Sequence, residues 1–125
     1  MNGMADTYSQ GKLTMKLTHS GNNYMFRLYT TNPDNTRVPF DLTGVTDYKI
    51  VFPLANGTKL QIMANKDSEQ TNMGVGTLVF YISAENAKAI MQVPYSERYF
   101  SIMTSVPQNP REESTLYEGR TEWYV

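Results

Sequence analysis

Two β-rich segments on either side of an Asn-Gly pair constrain this chain more than any other feature of its sequence. Tyr48–Leu54 is rich in β-branched and aromatic residues, Lys59–Met63 alternates polar and apolar residues, and Asn56-Gly57 lies between them. An Asn-Gly pair tolerates the positive φ that a tight turn requires, so the sequence predicts an antiparallel hairpin. Pro53 cannot donate a ladder hydrogen bond, which places the first strand at a sheet edge or ends it in a bulge.

Five further segments have the alternation of apolar and polar residues that is typical of half-buried strands. They are Leu13–Leu17, Tyr24–Thr31, Thr77–Ser83, Glu97–Val106 and Thr115–Val125. The first two are separated by the turn residues Ser20–Asn23 and are expected to pair as a hairpin at a sheet edge. With the Asn-Gly hairpin, the sequence predicts seven strands and an all-β fold.

One segment breaks the β pattern and predicts a short helix between the fifth and sixth strands. Ser83 is followed by good helix formers as far as Met91, and a serine is a favourable N-cap. Glu85 then lies in the first turn, where the helix dipole favours a negative charge. We therefore expect one or two helical turns here.

The polar segments predict the parts of the chain that contact other molecules. Residues 1–11 are small and polar and are expected to form a flexible N-terminal arm, followed by one domain over residues 12–125. Asn32–Phe40 and Pro107–Ser114 are expected to be exposed loops, which are free to vary or to contact a partner. The interface candidates in these segments are Tyr8, Arg37, Val38, Phe40, Pro107 and Arg111.

Composition limits the kinds of partner. The 125 residues suffice for one core, and 11 basic against 12 acidic residues give a net charge of −1, so no nucleic-acid partner is expected. The chain lacks a long apolar segment and a signal peptide, so the sequence predicts a soluble product made in the cytoplasm, without a membrane partner. It also lacks cysteine, so packing and hydrogen bonds must stabilise the fold.

The sequence predicts no catalytic, metal-binding or cofactor-binding residue. His19 is the only histidine, and it has no cysteine or second histidine as a partner, so it is interpreted as a solvated turn residue. Asp41 and Asp47 could meet across a turn to bind calcium, but turn capping by Asp41 is the favoured interpretation. Trp123, the only tryptophan, lies on the apolar face of the closing strand and is expected to be buried.

Three short motifs resemble those of phage virion immunoglobulin-like domains, including the N-terminal domain of siphophage baseplate upper proteins. They are Asp41–Gly44 entering a strand, Leu78–Ile90 before Arg98–Phe100, and Tyr117–Arg120 leading the last strand. The resemblance implies a seven-stranded immunoglobulin-like β-sandwich. It also implies a non-enzymatic role as an adaptor or decoration module in a tail, baseplate or capsid. The protein would then lie in the virion, in several copies, and contact other phage structural proteins.

A second interpretation comes from the aromatic residues. Exposed rings such as those of Tyr95 and Tyr124 could stack on sugars, which would make the chain a carbohydrate-binding or host-adhesion module. A groove lined by exposed aromatic rings would favour this alternative, whereas flat apolar patches would favour assembly.

Overall fold

A computed structural model describes residues 14–39, 47–66, 71–72, 74, 76–105 and 113–124 of the chain. In these residues the fold is all-β with one short α-helix, which confirms the predicted fold class. A 3-10 turn covers Tyr95–Glu97, and the helix α1 covers Ala84–Ile90. The nine described strands are β1 (Thr14–Leu17), β2 (Asn22–Arg27), β3 (Tyr29–Thr31), β4 (Arg37–Pro39), β5 (Asp47–Pro53), β6 (Lys59–Met63), β7 (Thr77–Ile82), β8 (Tyr99–Ser105) and β9 (Thr115–Trp123).

The described strands form three sheets. The largest has five strands in the order β1-β9-β8-β5-β6, and its pairs are antiparallel except for the parallel pair of β1 and β9. β2 and β7 form an antiparallel two-stranded sheet, and β3 and β4 form another. The first and last described strands are thus neighbours in the large sheet.

The hydrophobic core lies between the five-stranded sheet and the β2–β7 sheet. Phe26 of β2 contacts Phe100 of β8, with ring centroids 5.5 Å apart. The Phe100 ring also contacts those of Phe52 and Tyr117, with centroid distances of 6.3 Å and 6.0 Å. Both pairs are tilted, and aromatic pairs prefer such arrangements to a face-to-face sandwich. Further residues with fully buried side chains are Leu17, Ile50, Leu78, Phe80, Ile82 and Ile102.

The Asn-Gly hairpin is confirmed: β5 pairs with β6, and Pro53 lies opposite Lys59. Its turn closes through a 3.0 Å hydrogen bond from the Gly57 amide to the Leu54 carbonyl, and Gly57 has φ of +86°. The prediction of an edge position for β5 is wrong, because β5 pairs with both β6 and β8. Pro53 is tolerated there because it is the last residue of β5, and the pairing with β8 already ends at Val51.

A second turn, Asn32–Thr36, repeats this geometry. The Asn35 amide donates to the Asn32 carbonyl at 2.9 Å, and Asn35 has φ of +71°, the position that Gly57 occupies in the first turn. Asp34 accepts hydrogen bonds from the Thr36 hydroxyl at 2.6 Å and the Thr36 amide at 3.0 Å. These hydrogen bonds hold the pKa of Asp34 below its usual value, and the bond from the Thr36 hydroxyl has the larger effect.

Gly57→Ala is expected to lower the free energy of unfolding by about 1 kcal/mol, the cost of the left-handed conformation for a residue with a Cβ. A Cβ at this position meets no atom within 4 Å, so the cost is conformational rather than steric. Urea titration of both proteins measures it. Gly74→Ala is the matched control, because its Cβ makes only an ordinary contact of 3.6 Å with Asn72. Equal losses in the two variants would contradict this explanation.

The described strands outnumber the seven that the sequence predicts. The predicted strand Tyr24–Thr31 is interrupted at Leu28. The Leu28 amide donates a hydrogen bond of 2.9 Å to the carbonyl of Gly76, the residue before β7. The chain then leaves this sheet as β3 and pairs with β4. Arg37–Pro39, expected to be loop, is therefore a strand.

The predicted hairpin between the first two strands is wrong. β1 pairs with β9 and β2 with β7, so the two strands belong to different sheets. The Thr18 amide donates to the Tyr24 hydroxyl at 2.8 Å instead of to a backbone carbonyl. Both strands have an apolar face to bury, and separate sheets let the two faces meet in the core.

The predicted helix is confirmed as α1. The Ser83 hydroxyl caps it by accepting a hydrogen bond from the Asn86 amide at 3.1 Å. Ala87 and Ile90 are buried, whereas Glu85 and Lys88 are exposed. The helix thus packs one face on the core and presents a carboxylate and an ammonium group outward.

Candidate interaction surfaces

The hairpin formed by β3 and β4, residues Tyr29–Pro39, contains the longest run of exposed residues in the described chain. All eight residues from Asn32 to Pro39 are exposed. Its two strands pair with each other and form a sheet of their own. Apolar surface is included, since Val38 is 39% exposed. The hairpin therefore offers a paired backbone on which the segment from Asn32 to Pro39 is exposed for contacts.

Contacts at the base and at the turn keep this hairpin ordered. Tyr29 packs against the core, and the Arg37 guanidinium lies 4.9 Å from the centre of the Tyr29 ring. At the turn, the Asn32 side-chain amide donates to the Thr36 hydroxyl at 3.0 Å. An isolated two-stranded hairpin is only marginally stable, so these contacts account for its defined conformation.

The structure brings two of the predicted interface residues together on this hairpin. Arg37 lies opposite Thr31 and Val38 opposite Thr30, so the two point to opposite faces of the pair. One face thus carries a guanidinium held over an aromatic ring, and the other carries an exposed aliphatic group. The other candidates lie outside the described residues: Tyr8, Phe40, Pro107 and Arg111.

Only the end of the second predicted contact loop, Pro107–Ser114, lies within the described residues. Ser114 is tied to β8, because its amide donates to the Thr104 hydroxyl at 2.8 Å and its carbonyl accepts from the Thr104 amide at 2.9 Å. Glu113 forms an ion pair of 3.0 Å with Lys49 of β5. The carboxyl end of this loop is thus fixed to the five-stranded sheet.

A second exposed cluster surrounds the 3-10 turn. Arg120 donates a 2.6 Å hydrogen bond to the Tyr95 carbonyl, and its guanidinium lies 4.6 Å from the centre of the Tyr95 ring. Arg98 supports the same region through hydrogen bonds to the carbonyls of Val93 and Met91. Tyr99, the cross-strand partner of Arg120, is also exposed. One face of Tyr95 is therefore covered by Arg120, which limits its use as a sugar platform.

A shallow groove lies between α1 and the end of β9, and we call it the His19–Trp123 groove. One wall is a parallel stack of the His19 and Trp123 rings, with centroids 4.0 Å apart and planes 14° from parallel. The other wall is α1, which contributes Ala84, Glu85 and Lys88. The groove has a volume of about 440 Å³ and is open to solvent.

The positions of His19 and Trp123 differ from the expectations. His19 is exposed, as a turn residue should be, but its ring stacks on an indole instead of being surrounded by water. Trp123 is only partly buried and packs against the edge of the core. Its position at the last residue of the closing strand explains the difference, because the core ends there.

Sequence reasoning missed this groove because its walls come from distant parts of the chain. The parallel pairing of β1 with β9 places Leu17 opposite Trp123, and the Tyr124 amide donates to the Leu17 carbonyl at 2.8 Å. His19 follows two residues after Leu17 and is therefore brought over the indole. No local signal in the sequence reveals a parallel pairing between the first and last strands.

The described residues contain no hydrogen-bonded arrangement of His19 with a carboxylate and a hydroxyl that would make a catalytic triad. Nor does the described part of the chain contain a group of three or more His, Cys, Asp or Glu residues that could hold a metal ion. Asp41 lies outside the described residues. The Asp47 carboxylate, at the start of β5, accepts a hydrogen bond of 2.8 Å from the Tyr48 amide. Within the same ranges, no helix is long and apolar enough to cross a membrane.

Comparisons with known proteins add no assignment. No protein-family model matches the sequence, and no curated protein does. Function therefore has to be inferred from the β3–β4 hairpin, the cluster around Tyr95 and the His19–Trp123 groove.

Proposed function

We propose that this chain is a non-enzymatic structural protein of a phage particle. It acts as an adaptor or decoration module in the tail, in the baseplate or on the capsid, through contacts with other structural proteins. It is present in several copies in the virion. The observation that supports this role best is the β3–β4 hairpin, which is ordered yet leaves every residue from Asn32 to Pro39 exposed.

The hairpin has the physical properties of an assembly contact. Its turn and base are held by hydrogen bonds and by the stacking of Arg37 on Tyr29, so little conformational freedom is lost on docking. Tyrosine and arginine are also enriched among the residues that dominate interface energetics. Since the net charge of the chain is −1, long-range electrostatic attraction contributes little, and apolar groups such as Val38 provide the affinity.

The strand order supports an immunoglobulin-like β-sandwich, which we propose as the fold of this chain. In such domains strands C, F and G form one sheet, which C′ extends, and strands B and E are neighbours in the other. β6, β5, β8 and β9 have the order C′-C-F-G, and β2 and β7 pair as B and E do. The two sheets contain seven strands in total, and the β3–β4 hairpin is added outside them.

Two features distinguish the chain from antibody domains. It has no cysteine and therefore no disulfide between the sheets, and its only tryptophan is in the last strand rather than in the strand equivalent to C. The contacts of Phe100 with Phe26 and Phe52 occupy the centre of the core instead. The centre of the core is therefore packed by aromatic rings where an antibody domain has its disulfide and tryptophan.

Carbohydrate binding or host adhesion is the second candidate function. It is favoured by the exposure of Tyr95 and Tyr124, at 63% each, and by the His19–Trp123 groove. Because Arg120 covers one face of Tyr95, this ring offers only its other face to a sugar. Assembly therefore remains the first proposal.

Val38→Asp is expected to reduce incorporation of the protein into particles, because it places a charge in the centre of the proposed contact. The loss of contact energy should reach about 2 kcal/mol, the threshold for a dominant interface residue. Mass spectrometry of purified virions first establishes that the wild-type protein is present, and the amount of each variant is then measured in the same way.

Met63→Asp is the matched control, since Met63 is an apolar strand residue of similar exposure, 42% against 39% for Val38. Both variants should keep the melting temperature of the isolated protein. Absence of the wild-type protein from virions would contradict the virion role. Equal incorporation of the two variants would contradict the role of the hairpin.

A further inference from the structure

We infer that the His19–Trp123 groove binds a neutral sugar ring. This site is separate from the β3–β4 hairpin, and the inference does not depend on the assembly role proposed above. It rests on three properties of the groove: its size and apolar walls, its flat pair of stacked rings, and the two opposite charges on its helical wall.

The size and lining of the groove suit a small ligand. Its volume of about 440 Å³ falls within the range of 300–1,000 Å³ typical of ligand sites. The methyl group of Ala84 and the rings of His19 and Trp123 provide apolar surface, and Glu85 and Lys88 provide a small number of polar groups. The open side allows a longer chain of sugars to extend into solvent.

The stacked rings form a rigid aromatic surface. Trp123 packs against the core, and His19 is exposed, so the imidazole is the outer member of the stack. The hydrogen bond from the Tyr124 amide to the Leu17 carbonyl joins the end of β9, which carries Trp123, to the end of β1, which His19 follows. The C–H face of a pyranose is apolar and packs flat against the outer face of the imidazole, and a surface that is already ordered loses little entropy on binding.

The helical wall supplies both kinds of hydrogen-bonding group that sugar hydroxyls need. Glu85 accepts hydrogen bonds and Lys88 donates them, and their spacing of three residues puts them on one side of α1. Both are exposed, and neither side chain forms a hydrogen bond or an ion pair with another described residue. Each is therefore available to a ligand.

The same two charges argue against the other kinds of small ligand. An anion would be attracted by Lys88 but repelled by Glu85, and a cation would meet the reverse arrangement. An aromatic side chain of a partner protein would stack on the rings but would form no hydrogen bond with Glu85 or Lys88, which would stay hydrated. A neutral polyol with an apolar face satisfies the rings and both charges together.

Trp123 is the only tryptophan, so its fluorescence reports directly on the groove. We would titrate the protein with methyl glucoside, methyl galactoside and N-acetylglucosamine at millimolar concentrations, and with N-acetyltryptophanamide in a calorimeter. At least one sugar should give a saturable change in emission. Glu85→Ala and Lys88→Ala should each weaken that binding about tenfold, as expected when a charged hydrogen-bonding partner is removed.

Matched controls separate the groove from the rest of the surface. Glu97→Ala and Lys59→Ala remove the same exposed groups elsewhere and should leave the affinity unchanged. The inference is overturned if none of the three sugars gives a saturable change, or if the groove variants bind as tightly as the wild type. Binding of N-acetyltryptophanamide without sugar binding also overturns it, and identifies a pocket for a protein side chain. None of these results affects the test of the hairpin.

Discussion

Phe100→Ala is expected to lower the free energy of unfolding by about 3 to 5 kcal/mol, the range measured when a buried phenylalanine is truncated. Phe100 has no exposed surface and contacts the rings of Phe26, Phe52 and Tyr117. Since Phe26 belongs to the opposite sheet, the variant loses contacts between the sheets as well as within one of them. Urea or guanidinium titration of the purified protein measures the loss.

Tyr99→Ala is the matched control, because Tyr99 precedes Phe100 in the same strand and points to the opposite face, where it is 46% exposed. Its truncation should cost less than about 1 kcal/mol, since exposed substitutions away from special features have small effects. If Tyr99→Ala and Phe100→Ala destabilised the protein equally, the described packing between the two sheets would be wrong.

Local structure could be predicted from the sequence because its causes are local. The turn after Leu54 forms where Gly57 provides a positive φ, and α1 begins where Ser83 can cap the first turn. Alternation also predicts the buried faces of β7 and β8, where Phe80 and Ile102 are inaccessible and Tyr81 and Tyr99 are exposed. Each of these features depends on residues within a few positions of one another.

The pairing of distant strands could not be predicted in the same way. Alternation shows that β1 has an apolar face but not which strand it pairs with, so the parallel partner β9 was missed. The central position of β5 was missed because a proline normally indicates an edge. Here Pro53 is the last residue of its strand, beyond the pairing with β8.

The β3–β4 hairpin could have been found from its turn. Its residues Asp34, Asn35 and Thr36 correspond to Asn56, Gly57 and Thr58 in the turn of the Asn-Gly hairpin. Asn35 and Gly57 both have a positive φ. Asparagine is the residue other than glycine that most readily adopts a positive φ, so the same hairpin turn was available to both segments. The His19–Trp123 groove left no such signal, because it depends on the pairing of the chain's two ends.

Glu113→Ala is expected to lower the free energy of unfolding by about 2 to 3 kcal/mol, because it leaves a largely buried ammonium group without its counterion. The Lys49 and Glu113 side chains are only 9% and 15% exposed, and their charged atoms are 3.0 Å apart. Gln61 also accepts a hydrogen bond from Lys49, at 2.7 Å, which softens the loss but does not neutralise the charge. Denaturant titration again provides the measurement.

The exposed ion pair of Lys66 with Asp47 is the matched control. Its charged atoms are 3.8 Å apart and its side chains are 49% and 25% exposed, so Lys66→Ala should cost at most about 1 kcal/mol. The double variant Lys49→Met with Glu113→Ala should recover most of the stability, since it removes the buried charge together with its partner. If the double variant were as unstable as the sum of its single changes, the two side chains would not interact. The Ser114–Thr104 hydrogen bonds, rather than the ion pair, would then account for the attachment of residues 113–114 to the sheet.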